Sequence, residues 1–325
     1  MLFLLYSEGV SNDNGLDLDL IIQTCGIGTE VDAEILIENL INLSDNYTDE
    51  ELVQIYNHLM GTVYNPKVLM KLISLSDRYR DKSSLSVLTN LLLMRINLEN
   101  TPYDIDDLTN VRVMCAKAIA NIKDTSVVGS LLYCLNNKNE NYKVRLACAD
   151  ALGKIGDKYA VAPLIDVMQD EEEKSVYLKE SAVSALGLLG DTSAIDPLVS
   201  ILEAKQGLLD KFSFLKERII EALGKLNVSD RKIFKALKRS LYDTSPMVRI
   251  NAIEALMNSG EEEAVELIRS VLNDDNDEVK KNALIALYNL EGRSILDEVL
   301  SVPEYSQFLK DEAQSIIDEY EDEDE

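Results

Sequence analysis

One unit of sequence recurs along this chain, and that recurrence restricts the fold more than any bulk property does. VRLACADALGKIGDKYAVAPLIDVM opens at Val144, and LKESAVSALGLLGDTSAIDPLVSIL opens at Leu178, 34 residues later. Each copy reads as two short helices joined by a Gly-Asp turn. A supersecondary unit repeated at this period cannot bury its apolar face alone, so it stacks on its neighbours.

The register extends in both directions. Seven segments begin with a branched apolar residue and then a base: Val111-Arg112, Val144-Arg145, Leu178-Lys179, Leu215-Lys216, Val248-Arg249, Val279-Lys280 and Leu309-Lys310. The steps between them are 33, 34, 37, 33, 31 and 30 residues. Seven residues into each stands Ala118, Ala151, Ala185, Ala222, Ala255 or Ala286, and the last segment departs with Ile316. A large aliphatic residue follows each time. These positions share one helix face, which must meet the next repeat. Alanine there lets two backbones approach without loss of helix propensity. The turn glycines Gly156 and Gly190 suit a left-handed helix end, and Asp157 and Asp191 suit an N-cap for the second helix. Pro163 and Pro197 fall inside that second helix, where a proline is harmless only near the first turn. The recurrent base reads as a ladder, each one paired with an acid from an adjacent turn, with a ligand-binding row of bases as the alternative.

The part before Val111 is helical without the clean register. Residues 1–15 are a lead-in ending in the loop signal Ser11-Asn12-Asp13-Asn14-Gly15. Ile35, Leu36, Leu40, Ile41 and Leu43 make an apolar stripe. Thr48 and Glu51 form a capping box that opens a helix running to about Met60. Asn65-Pro66 opens the next helix, and Ser83 to about Asn97 predicts another. Thr101–Asn110 reads as an acidic connector. The expected organisation is therefore a divergent helical part over 1–110, the repeat array over 111–317 and an acidic tail over 318–325.

The pattern of Val/Leu then Lys/Arg, followed after five residues by Ala and Leu/Ile, resembles the HEAT repeat. It is closest to the short bacterial and archaeal form first noted in phycobilisome lyase subunits. VRLACADALGKIGDKYAVAPLIDVM and VRINAIEALMNSGEEEAVELIRSVL carry it, and the resemblance covers Val111 to about Leu300. It implies an all-α fold, a right-handed α-solenoid of stacked antiparallel helix pairs, with the second helix of each pair lining the concave side. Proteins with this repeat include scaffolds, chromophore lyases, a hydroxylase and DNA-repair glycosylases, so function has to come from a site.

Chemistry is sparse. The hydroxylase resemblance would require His-Glu metal pairs, yet the single histidine, His58, precedes Leu59. A glycosylase would need a basic, aromatic groove, and the chain has no Trp and 58 acids against 32 bases. That balance also opposes general binding to nucleic acid or to an anionic membrane surface. Gly26-Ile27-Gly28 lacks the lysine of a phosphate loop and reads as a turn. Cys25, Cys115, Cys134 and Cys148 show no C-x-x-C spacing, and Cys115 and Cys148 share a core position. The N-terminus has no basic region or cleavage-like site. No catalytic residue, metal ligand or cofactor site is expected, and free thiols without an export signal point to a reducing cytoplasm.

The charge is uneven. Residues 1–110 carry −12, residues 111–204 carry −3 and residues 240–325 carry −17, whereas residues 205–239 carry +6. This basic island covers the one lengthened step, Ala204–Lys211, and then Arg231, Lys232, Lys235, Lys238 and Arg239, whose spacing puts them on one broad helix face. These five are the candidate partner-binding residues, suited to a small acidic feature of a partner protein. The acidic C-terminus, Asp318–Glu325, is a second candidate for that face, folding back on it. The function expected is a non-catalytic protein-binding scaffold acting through its concave face. A phycobilin-lyase-like or chaperone subunit, and an acidic immunity protein covering a basic toxin, are the alternatives.

Overall fold

The computed structural model describes residues 16–27, 32–94, 102–203, 213–226 and 230–321. The lead-in 1–15, Gly28, residues 95–97 of the expected third helix, the lengthened step from 204 to 212 and residues 322–325 lie outside the described residues. Among those described, the regular structure is helical. The chain divides into two compact units, Met1–Ile155 and Gly156–Glu325.

The first unit holds α1 (Leu18–Cys25), α2 (Ala33–Asn42), α3 (Asp49–Thr62), α4 (Pro66–Ser76), α5 (Leu85–Leu92), α6 (Ile105–Ile122), α7 (Val128–Asn136) and α8 (Tyr142–Ile155). Local chemistry sets their starts. Thr48 accepts the backbone N–H of Glu51, and Glu51 accepts that of Thr48 at 2.9 Å, which closes the expected capping box. Asn65 caps α4, with Pro66 in its first turn. Helices α2, α4, α6 and α8 pack side by side as one row, with α3, α5 and α7 behind them.

Two expectations need correction here. The stretch read as a connector over 101–110 is largely helix. Asp104 accepts the N–H of Asp106 at 2.7 Å, and α6 begins at Ile105. The acids that looked like a linker sit at a helix N-terminus, where negative charge is favourable. The boundary expected at 110 thus falls inside α6. Conversely, the helix expected to run to Asn97 ends at Leu92. The carbonyl of Leu92 accepts Arg112 Nε at 2.7 Å, so an arginine from the next helix caps that end.

The second unit holds α9 (Val161–Gln169), α10 (Val176–Leu189), α11 (Ile195–Glu203), α12 (Ser213–Lys225), α13 (Arg231–Ser240), α14 (Pro246–Met257), α15 (Glu262–Arg269), α16 (Asp277–Glu291), α17 (Ser294–Ser301) and α18 (Gln307–Glu321). Here α10, α12, α14, α16 and α18 form the first-helix row. The register alanines are all buried. At Gly187 a Cβ would stand 2.9 Å from the Cα of Ala222, so α10 and α12 touch backbone to backbone. Pro163 and Pro197 occupy the third residue of α9 and α11, where they break no helix hydrogen bond. The start of the expected acidic tail is not a tail: Asp318 and Glu319 lie on α18, whose Leu309, Ala313 and Ile317 are buried.

The turn between paired helices recurs in a form the sequence only partly displays. Twelve residues after the register residue, the backbone is left-handed at Lys123 (φ 58°), Gly156 (φ 83°), Gly190 (φ 64°) and Gly260 (φ 70°). Arg80 (φ 51°) is also left-handed, twelve residues after the fully buried Val68. Asp81, Asp124, Asp157 and Asp191 follow, and each accepts the N–H two residues on, at 2.7 to 3.0 Å. Helices α4 and α5 are therefore a repeat of the same build.

Candidate partner-binding surface

The base at the second register position has a definite job. Arg112 Nε donates to Leu92 O, Arg145 Nε to Leu135 O at 2.8 Å, Lys179 Nζ to Asp170 O at 2.6 Å and Arg249 Nη1 to Asp243 O at 2.8 Å. Each acceptor lies at or just past the C-terminal end of a second helix, where carbonyls lack partners and a cation suits the helix dipole. Several of these bases also take an acid from an adjacent inter-repeat loop. Arg112 holds Glu140 through two bonds of 2.8 and 2.6 Å, Lys216 holds Asp243 at 2.9 Å and Arg249 holds Asp274 at 2.7 Å. Burial opposes the charge of Arg112, but its bonds to Glu140 outweigh that and raise its pKa. Burial lowers that of Lys179. The ladder is structural, and these bases are not free to take a ligand.

The five candidate residues all lie on α13 and all are exposed. Asp230 caps the helix by accepting the N–H of Lys232, and Ile233, Ala236 and Leu237 bury the opposite side. The face is less open than the sequence spacing implies. Lys232 Nζ lies 2.5 Å from Asp196 on α11, Arg239 pairs with Glu203 at the end of α11, and Lys238 lies 3.5 Å from Glu263 on α15. Second helices of adjacent repeats are neighbours, so their acids answer the bases of α13. No described residue pairs with Arg231 or Lys235. Of the rest of the basic island, Lys205 and Lys211 lie outside the described residues, while Arg218 and Lys225 are held by Glu180 and Glu221. Burial works against the Glu221 carboxylate, and these two cations still hold its pKa below the usual value.

Elsewhere the side chains with chemical potential are accounted for by packing. His58 is half-buried on α3, and Gly26 is the left-handed cap of α1. All four cysteines are buried free thiols. Burial raises Cys115 and Cys25. Among the described residues no group of three or more His, Cys, Asp or Glu is placed to hold a metal ion. None of the described helices is long and apolar enough to cross a membrane.

Antiparallel helix pairs in register, with buried alanines between like helices, make this an α-solenoid fold. The family models agree with that geometry. HEAT repeats match residues 105–177 and 205–288, and the PBS lyase HEAT-like repeat matches 178–204. The chain belongs to the HEAT-repeat proteins. Similar solved structures include Kap95p in its complex with RanGDP, at 16% identity over 92% of this chain and 46% of that one, with a TM-score of 0.58. Importin beta matches at 14% identity over 87% of this chain and 44% of that one, with a TM-score of 0.53. This chain thus spans less than half the length of either. The CpcE–CpcF complex of phycocyanin lyase from Nostoc sp. PCC7120 matches at 21% identity over 89% and 96%, with a TM-score of 0.39. No protein with a curated description matches the sequence.

Proposed function

We propose that this protein is a non-catalytic binding scaffold that docks an acidic segment of a partner protein on α13. The observation that carries the reading is the pair Arg231 and Lys235, exposed cations without a described counter-charge, in a chain of net charge −26. Other exposed bases, Lys67, Lys117 and Lys154 among them, also lack a described counter-charge; what distinguishes Arg231 and Lys235 is that they share one helix with three further exposed bases. Lys232, Lys238 and Arg239 flank the pair and can trade their internal partners for a partner's carboxylates, at small cost because exposed ion pairs are worth little. The surrounding negative field favours a compact acidic feature, because a long polyanion would meet repulsion on every side.

The test is charge reversal at the two unpaired positions. Affinity purification of the parent protein from its source cell, with mass spectrometry, identifies retained proteins. R231E/K235E should lose a specific acidic partner while keeping an unchanged helical circular dichroism spectrum, and retention of that partner by the parent protein should weaken as salt rises. A partner bound equally by the parent and R231E/K235E would end the reading.

A further inference from the structure

On the first-helix row of the second unit, one ion-pair bridge is complete and its counterpart one repeat later lacks its middle member. Between α10 and α12, Arg218 Nε lies 2.8 Å from Glu180 Oε1, and Arg218 Nη1 lies 2.7 Å from Glu221 Oε2. In the repeat register these are the third (Glu180), fourth (Arg218) and seventh (Glu221) residues of their units. One repeat on, the same three registers hold Glu217, Asn251 and Glu254. Both carboxylates are present, and a short neutral amide stands where the arginine would be.

The geometry around these residues leaves room. The furrow between α12 and α14 is an open cleft of about 810 Å³, lined by Glu217, Asn251 and Glu254 and also by Arg218 and Lys225, two cations that Glu180 and Glu221 already hold. Its walls close at one end, where a Cβ on Gly224 would come within 3.1 Å of Ala255 Cβ. At the other end stand Phe214, stacked on Tyr177, and Met247, which is 51% exposed. Asn251 Nδ2 donates only a long 3.5 Å bond to the backbone oxygen of Glu217, whose side chain accepts Ser245 Oγ at 3.5 Å. No described residue pairs with the exposed Glu254.

We propose that this cleft receives an arginine side chain from a basic segment of a partner protein, its guanidinium standing between Glu217 and Glu254 as Arg218 stands between Glu180 and Glu221. The chain itself shows that a guanidinium fits this register, because Arg218 reaches its two acids through different nitrogens. A planar fork of donors does this, whereas a lysine ammonium offers one point of charge. The aliphatic stem of the incoming arginine would lie along Phe214 and Met247. Net charge −26 draws basic segments to the surface, and the vacant register selects among them. This surface is separate from α13 and takes a partner of opposite charge, so it stands or falls independently of that reading.

The test uses a fluorescein-labelled Gly/Ser peptide carrying one Arg-Leu-Arg, with a Lys-Leu-Lys twin, titrated with the full chain and read by anisotropy. N251R supplies the missing arginine in cis and should weaken the arginine peptide about tenfold. E217Q/E254Q removes the acceptors and should do the same. It also carries the test if N251R fails to fold by circular dichroism. D275N/E278Q changes the charge equally at exposed positions away from the cleft and should leave binding unchanged. The arginine peptide should bind more tightly than its twin. Equal binding by folded N251R, equal weakening by D275N/E278Q, or no preference for arginine would each overturn the proposal in favour of general attraction to an acidic surface.

Discussion

At the scale of single residues, the buried base of each repeat is the most consequential side chain. Arg112 is 6% exposed, ties the end of α5 to α6, and carries Glu140 with it. Removing one member of such a pair leaves the other charge stranded, so R112A should lower the unfolding free energy by about 3 kcal/mol in urea titrations. R112M/E140L removes both charges and should recover most of that loss. The pH dependence has a definite sign. Burial pushes the Glu140 carboxyl upward, but the Arg112 bonds and charge outweigh it and hold its pKa below the ordinary value. The unfolded chain therefore binds the proton more readily. The stabilisation is full above about pH 4.3, the unfolded value, and is lost as pH falls through the folded one. R112A should flatten that acid-side decline, and an unchanged profile would assign it to other carboxylates.

Among the elements, turns and close approaches decide how repeats pair and stack. Lys123 and Gly190 occupy the same left-handed turn position, and only glycine adopts it without strain. K123G should therefore stabilise the protein by about 0.5–1 kcal/mol, and G190A should destabilise it by about 1 kcal/mol, both read as shifts in denaturation midpoint. The side chain of Lys123 is exposed, so its loss removes no core contact. Gly187 has a different role. It is in ordinary helical backbone, and the obstacle to a side chain is the backbone of Ala222 across the interface. G187A should cost about 1–3 kcal/mol by forcing α10 and α12 apart, more than the same change at Gly224, where the nearest atom, Ala255 Cβ, would be 3.1 Å away and its Cα 3.6 Å.

For the molecule as a whole, stability in a repeat protein is a sum of units and nearest-neighbour interfaces. Helix α18 ends the described structure with an apolar side, Leu309, Ala313 and Ile317, and an exposed polar side that includes Asp311, Gln314 and Asp318. It packs on α16 and α17 and so acts as a cap for them. Truncation after Ser301 should raise amide hydrogen exchange in α16 and α17 and leave α6 and α7 protected. A uniform rise through both units would instead show one cooperative fold. The same nearest-neighbour logic explains the charge of α13. A +6 island in the sequence is partly neutralised because repeats bring the acids of α11 and α15 beside it.

The sequence by itself determined the all-α repeat fold, its register from Val111 onward, the buried alanines and the structural place of Cys115 and Cys148. Those features are local in spacing: a stripe every three or four residues and a unit every thirty-odd. It also contained the repeat at α4 and α5, but faintly. Arg80 and Leu75 stand where Gly and Ala stand elsewhere, and the next register residue comes 43 residues after Val68. The shared Asp-Lys/Thr-Ser of 81–83, 124–126 and 191–193 was the readable trace. What only the tertiary structure decided is which charges are left over. Ion pairing between repeats joins residues 22 to 42 positions apart, and no window along the chain shows whether an acid will reach a given base. Folding answered Lys232, Lys238 and Arg239, left Arg231 and Lys235 unanswered, and set Glu217 and Glu254 around an asparagine where the preceding repeat has its arginine.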